Sequence, residues 1–254
     1  FWAGSATDLP YIQNNKSYFS MANTALTLAI CTYNRCERLK DLIRACRALV
    51  CPLPFEVLIV NNNSDDDSAS ILAGLQGESG APLRVVNEER LGIVSARNRA
   101  LAEAIDSEYL VFMDDDELPR EGLLAAAIDC FREFPQALVI GGRVKVDFSK
   151  TGRPAWLGDE LLGFLAETDY GGEGFWIKEE DTPIWTANIG YRMSLFRENP
   201  ELRFDQRFDR KGKSVGGGSD HIMFAEFLRR KLGIRYCPGM VVDHAVEPWR
   251  LHRS

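Results

Sequence analysis

Three aspartates, Asp114, Asp115 and Asp116, stand directly behind the apolar run YLVFM (109–113). At a separation of about 5 Å and an effective dielectric of about 20, each like-charged pair costs about 3 kcal/mol. A cation or a bound proton is therefore expected among them. A hard divalent ion, Mn²⁺ or Mg²⁺, suits such oxygen donors and is typically held by one or two carboxylates together with substrate phosphates. The competing account is an acidic approach to a helix opened by Pro119, where negative charge suits the helix dipole. Two further residues invite chemistry. Asp220 follows the glycine run Gly216 to Gly218, and His244 follows the apolar stretch GMVV (239–242).

These residues need elements to place them. From Thr24 the chain alternates short apolar runs with stretches of helical period. Strands are expected over 25–31, 55–60, 83–87 and 108–113, with helices over 37–49, 68–76 and 93–105. In 37–49 the apolar residues Leu39, Leu42, Ile43, Cys46 and Leu49 recur at helical spacing. Such βαβα alternation with strands apolar throughout predicts an α/β fold, its mostly parallel sheet covered by helices on both faces. Ligands bind such sheets beyond the carboxyl ends of the strands. Those ends read TYNR (32–35), NNNSDDDS (61–68), NEERLG (87–92) and DDDE (114–117), all polar. In the second half, strands are expected over 137–146, 187–193 and 239–244, and a helix after the glycine run of 216–218. Residues 150–183 read as loops and short helices.

Composition narrows the function. The 254-residue chain carries a formal charge of −7, which argues against a nucleic-acid partner, although basic residues gather in 203–213 and 229–235. No dinucleotide or Walker fingerprint occurs, which counts against a nicotinamide enzyme or a P-loop NTPase. The triplet lacks the glycine and glutamate of a calcium-binding EF-hand loop. It follows the fourth strand, not the first, which disfavours an aspartyl phosphatase. The six cysteines lack zinc spacing and read as reduced thiols. No run reaches the roughly 20 apolar residues of a membrane span, so a cytoplasmic protein is expected. Residues 1–20 show no sustained period and read as a leader or extension. Residues 21–254 read as one domain.

Taken together, LAICTYNR (28–35), EVLIVNNNSDD (56–66), ERLGIVSARNRAL (89–101) and YLVFMDDDELP (109–119) resemble the nucleotide-sugar-binding half of an inverting family 2 glycosyltransferase of GT-A fold. WTANIGYR (185–192), GGGSDHIMFAEFLRR (216–230) and VVDHAVEPWR (241–250) resemble its acceptor half. The resemblance spans 26–250, divides the domain into a nucleotide-sugar-binding half (21–118) and an acceptor half (119–254), and implies a Mn²⁺ or Mg²⁺ cofactor on the family's D-x-D motif, here Asp114 and Asp116 with Asp115 between. Asp116 would bind the metal, with Asp114, and His244 would add an imidazole ligand; a structural histidine is the alternative. Thr32, Tyr33 and Arg35 would hold the base, a turn with helix capping being the alternative. Asn61 stands where the family usually has an aspartate facing uracil, and its amide oxygen can still accept that hydrogen bond. Arg97 and Asn98 match an ARN segment that reaches the nucleotide. Ser64 and Asp67 fit a capping box.

Inversion needs one in-line attack by an acceptor hydroxyl and a carboxylate to take its proton. The resemblance implies Asp220 as that base, although Ser219 replaces the glutamate usual before it and is itself a good helix cap. Trp185 and Asn188 would line the sugar site, with core packing and strand hydrogen bonding as their alternatives. The implied activity is transfer from a nucleoside-diphosphate sugar, with UDP as the base carrier, to a glycan or lipid-linked acceptor in bacterial polysaccharide or surface-glycan assembly. The late basic segments would approach anionic lipid or a diphosphate-linked acceptor, giving peripheral contact with the cytoplasmic membrane, with ordinary solvated charge as the alternative that is favoured for them. Two rivals stand beside it, a nucleotide-sugar-binding pseudoenzyme and a sugar nucleotidyltransferase.

Overall fold

A computed structural model describes residues 24–209 and 218–251. The expectations for residues 1–20, for Gly216 and Gly217 of the glycine run, and for most of the basic cluster at 210–213 lie outside the described residues.

Each expected element of the first half forms: β1 (Leu26–Thr32), α1 (Cys36–Arg47), β2 (Phe55–Asn61), α2 (Ser68–Gln76), β3 (Leu83–Asn87), α3 (Ile93–Glu103) and β4 (Tyr109–Asp114). The second half supplies β5 (Glu117–Pro119), α4 (Leu123–Glu133), β6 (Val139–Asp147), β7 (Phe175–Ile177), β8 (Asn188–Arg192), α5 (Ser194–Glu198), α6 (Ser219–Arg229) and β9 (Ile234–Ala245). Residues Asp159–Leu165 make a 3₁₀ turn inside the stretch expected to be irregular. Among the described residues all nine strands join one sheet in the order β3-β2-β1-β4-β8-β6-β9-β5, with β7 paired to β9. The β3-β2-β1-β4 block is parallel throughout. β8 runs antiparallel between β4 and β6, and β6 and β9 are parallel to each other.

Because successive strand residues face opposite sides, a continuous apolar run feeds two cores at once. On one face Leu28, Ile30, Val111 and Met113 pack with Leu39, Leu42 and Ile43 of α1 and Leu124 and Ile128 of α4. On the other, Ala29, Leu58, Leu110 and Phe112 pack with Val94 and Leu101 of α3 and Phe224 and Phe227 of α6. Each fully buried side chain of this size contributes about 1.5–3 kcal/mol relative to exposure.

The structure corrects the sequence reading in three places. Pro119 does not open a helix: Glu117–Pro119 pair antiparallel with β9, and α4 starts only at Leu123, after Gly122 in a left-handed conformation. β9 begins at Ile234, earlier than expected, because the breakers Pro238 and Gly239 sit where its register against β6 shifts between Gly141 and Arg143. A bulge leaves the proline without a ladder bond to donate. Cys130 of α4 and Cys237 of β9 are joined by a disulfide, where reduced thiols were expected. Their 107-residue separation hid the pairing from any spacing argument.

Candidate active site

The parallel block brings four polar strand ends to one edge. In register, Thr32 lies beside Asn61, Asn61 beside Asn87, and Cys31 beside Asp114. Above this edge opens a cavity of about 450 Å³. Its walls include Thr32, Tyr33 and Arg35 from the end of β1, Arg97 from α3, the three aspartates, and Gly218 to Asp220 at the start of α6. The α6 helix begins with Gly218 as its cap residue, so Ser219 lies inside the first turn and does not cap it. Gly218 has φ +100°, a backbone region glycine occupies at little cost.

The acidic group is wired in a graded way. Thr32 Oγ1 donates to Asp115 Oδ2 at 2.7 Å. Burial, added to the charges of Asp116 and Asp114, nevertheless pushes the Asp115 carboxyl up to about 7. Asp114 is raised in the same direction, chiefly by burial, against the pull of Arg97. Glu117, almost wholly buried behind the triplet, accepts the Asp114 amide at 3.0 Å and is raised well above the usual carboxylate range by burial. Asp116 goes the other way. Burial opposes its charge, but the His244 hydrogen bond and the nearby charges of His244, Arg35 and Arg38 hold its carboxyl below the ordinary value.

The strand pairing explains why His244 is there. β5 places Glu117 opposite His244 in β9, which sets the imidazole Nε2 3.4 Å from Asp116 Oδ2. His244 is buried and its Nδ1 has no hydrogen-bond partner among the described residues. An under-satisfied buried imidazole beside a group of close carboxylates suits a divalent cation: oxygen donors and one nitrogen would take Mn²⁺ or Mg²⁺. Asp116, Asp114 and His244 are the residues that could hold it.

Asp220 faces this cluster across the cavity. Arg97 joins the two sides, with Nη1 2.5 Å from Asp220 Oδ1 and Nη2 3.4 Å from Asp114 Oδ1. Arg97 is itself buried, and its guanidinium lies over the Phe204 ring, 5.7 Å from the centroid. Although burial opposes its charge, Asp220 and Asp114 raise its pKa, so it is held as a cation. Arg35 reaches the cavity rim and pairs with Glu247 at 3.1 Å, and Arg38 pairs with the same carboxylate at 2.5 Å.

Several expected positions lie elsewhere. Asn61 is turned into the sheet edge: its Oδ1 accepts the Ser64 amide and its Nδ2 donates to Asn87 Oδ1. Its neighbour Asn62 lines the cavity and clamps the 88–92 loop through Glu88 O, Arg90 O and the Gly92 amide. Of the two adjacent asparagines it is Asn62, just past the end of β2, that lines the cavity, whereas the sequence reading chose Asn61. Trp185 packs, half-buried, against the first core. Asn188 is buried with its amide donating to Arg143 O and Met240 O, a bridge that Gly142 makes room for. Asn98 exchanges both bonds with the Phe204 backbone and holds α3 to the second half. Asp66, not a local Ser64–Asp67 box, receives the Cys36 and Ser68 amides. Thr186 was not foreseen: its hydroxyl donates to Asp220 Oδ1 at 2.5 Å, across 34 positions of sequence.

The chain is 30% identical over 115 residues to the uncharacterized glycosyltransferase YfnE of Bacillus subtilis, covering 45% of this chain and 29% of that one. It is 25% identical over 227 residues to the succinoglycan biosynthesis protein ExoM of Rhizobium meliloti, covering 88% and 65%. It thus spans less than two thirds of the length of either relative. Its fold matches S. aureus TarS 1–349 in complex with UDP-GlcNAc at a TM-score of 0.67 and 18% identity, over 88% of this chain and 59% of that one. The mannosyltransferase PcManGT of Pyrobaculum calidifontis, in complex with GDP-Man and Mn²⁺, matches at 0.64 and 19%, over 91% and 60%. Residues 27–199, from the first strand through the acidic triplet and beyond β8, match the model of glycosyl transferase family 2, and the chain belongs to that family.

Proposed function

We propose that the protein is a metal-dependent inverting glycosyltransferase that moves a sugar from a nucleoside-diphosphate donor, UDP being the favoured carrier, to a hydroxyl of a glycan or lipid-linked acceptor. The observation that carries this reading is the placement of Asp220 across one cavity from Asp114–Asp116, both sides gripped by Arg97. A base on one wall and a diphosphate-binding cluster on the other is the arrangement that single in-line displacement requires.

The donor's base would lie against Tyr33, which is exposed at the rim, and beside Asn62. A ring face there suits stacking. Asp116, with Asp114 and His244, would hold Mn²⁺ or Mg²⁺, which as a Lewis acid offsets charge on a departing diphosphate. Asp115 is fixed by Thr32 and closes the cluster from the β1 side. Asp220 would accept the acceptor hydroxyl's proton while Arg97 holds its carboxylate toward the cavity. Relatives support the donor class: TarS is complexed with UDP-GlcNAc and PcManGT with GDP-Man and Mn²⁺. ExoM, a succinoglycan biosynthesis protein, supports a role in polysaccharide assembly. Among the described residues no helix is long and apolar enough to cross a membrane. Contact with the cytoplasmic membrane through a lipid-linked acceptor belongs to the proposal.

Replacing Asp220 with Asn tests the reading. Transfer from a panel of UDP-, GDP- and TDP-sugars in Mn²⁺, with water as the surrogate acceptor, should fall at least about 100-fold in D220N. Donor binding, followed by thermal shift, should persist. Undiminished turnover in D220N would remove Asp220 from the chemistry.

A further inference from the structure

We propose that Thr186 is a positioning residue for the base, one that fixes which oxygen of Asp220 meets the acceptor. This deepens the proposed function and rests on the reading of Asp220 as the proton acceptor. The geometry is specific. Among the described residues both hydrogen bonds to the Asp220 carboxylate fall on Oδ1, from Arg97 Nη1 and from Thr186 Oγ1, each at 2.5 Å. Oδ2 is then the oxygen left to the cavity.

Two donors do what one cannot. Arg97 alone would let the carboxylate swing about its side-chain torsions and follow the guanidinium toward Asp114, which Arg97 also contacts. A second donor on a different element removes that freedom. Thr186 is suited to the task because it is itself immobile. It is almost fully buried, it sits in the tight turn closed by Asn188 N bonding to Trp185 O, and it leads directly into the central strand β8. Its β-branched side chain also has few torsional choices. The hydroxyl is spent on a charged acceptor, and such a hydrogen bond is among the stronger neutral-donor contacts. Nothing else at position 186 explains a buried polar side chain there: its neighbours Ile184 and Ala187 are apolar core residues.

The two substitutions T186V and T186S separate positioning from packing. Val keeps the shape and removes the donor; Ser keeps the donor and removes one methyl. Donor hydrolysis is measured with whichever sugar nucleotide the native protein turns over best in Mn²⁺. In T186V we expect kcat lowered roughly 10–100-fold, the loss of one charge-assisted hydrogen bond, with KM for the donor within about twofold of native. T186S should recover kcat to within about threefold. The proposal is overturned if T186V keeps native kcat, if kcat and donor KM change together, or if T186S is as impaired as T186V. D220N, run alongside, separates two failures. Loss of turnover in D220N with full turnover in T186V leaves the base and removes Thr186 from its support; full turnover in D220N removes both.

Discussion

Arg97 Nη1 lies 2.5 Å from Asp220 Oδ1, and the same guanidinium reaches Asp114 Oδ1 at 3.4 Å. One buried cation thus serves two carboxylates that come from opposite halves of the chain. Removing one member of a buried, hydrogen-bonded ion pair costs about 3–5 kcal/mol, because the partner is left as an uncompensated charge. Arg97→Met is therefore expected to lower the urea unfolding free energy, by less than the about 3–5 kcal/mol of a fully buried pair because Asp220 and Asp114 stay partly exposed, and to abolish donor turnover. Arg97→Lys should rescue little, since an ammonium cannot present two parallel donors to two separate carboxylates. A lysine variant with native stability and turnover would show that the fork geometry is irrelevant.

His244 offers a sharper test of the acidic cluster. Its imidazole sits 3.4 Å from Asp116 and its other nitrogen has no partner among the described residues. If the cluster holds Mn²⁺, His244→Ala should weaken Mn²⁺ binding by about 10–100-fold, in line with losses seen when a supporting group at a metal centre is removed. Isothermal titration with MnCl₂, in the presence of UDP, reads this directly. Equal affinities in the native and alanine proteins would leave His244 as a packing residue.

The fold was written plainly in the sequence, because each element's signal is local. β1's LTLAICT cannot be anything but a strand covered on both faces, and Leu39, Leu42 and Ile43 name the inner side of α1 without help. The polar edge of the sheet was legible for the same reason, since Thr32 and Asp114 stop their strands in polar residues. What the sequence withheld was pairing at a distance. Asp220 was picked through the family resemblance of GGGSD, yet its partners Arg97 and Thr186 lie 123 and 34 positions away, and neither contact leaves a periodic trace. Asn61 and Asn62 are chemically identical, so only the path of the chain past β2 decides which of them lines the cavity. Trp185 and Asn188 were placed by analogy with a sugar site, but here one supports the core and the other ties β8 to β6 and β9.

Gly92 and Asp209 form a contact that a single methyl would break. Gly92 has φ +130°, and a Cβ built there would meet Asp209 Oδ2 at 2.0 Å. Asp209 Oδ1 accepts the Val94 amide in the first turn of α3, the helix that carries Arg97. Gly92→Ala should cost about 1–3 kcal/mol from backbone strain alone, with eviction of Asp209 added. Asp209→Ala should cost about 1 kcal/mol as a lost cap. The double variant should then be more stable than the sum of the two losses predicts, because the clash has gone. Strict additivity in urea melts would mean that the two residues do not meet.

Asp115 gives the metal-free protein a pH dependence of definite sign. An unfolded aspartate loses its proton near pH 3.9, whereas burial beside Asp116 and Asp114 pushes this carboxyl up to about 7 in the folded chain. Between those values the native state holds one more proton than the unfolded state, so stability falls as pH rises, by up to about 1.4 kcal/mol per pH unit for one group. Asp114 and Glu117, raised in the same direction, steepen the decline. Asp115→Asn mimics the protonated form and keeps an oxygen for the Thr32 hydroxyl. In EDTA it should therefore match the native protein near pH 4 and exceed it in stability near pH 8. Added Mn²⁺ should reverse that order at pH 8, because the ionised carboxylates then gain a counter-charge that the asparagine variant shares only in part. Unfolding curves at both pH values, with and without the ion, decide the matter: a native protein that is no less stable at pH 8 than at pH 5 in EDTA would show that the triplet ionises without strain.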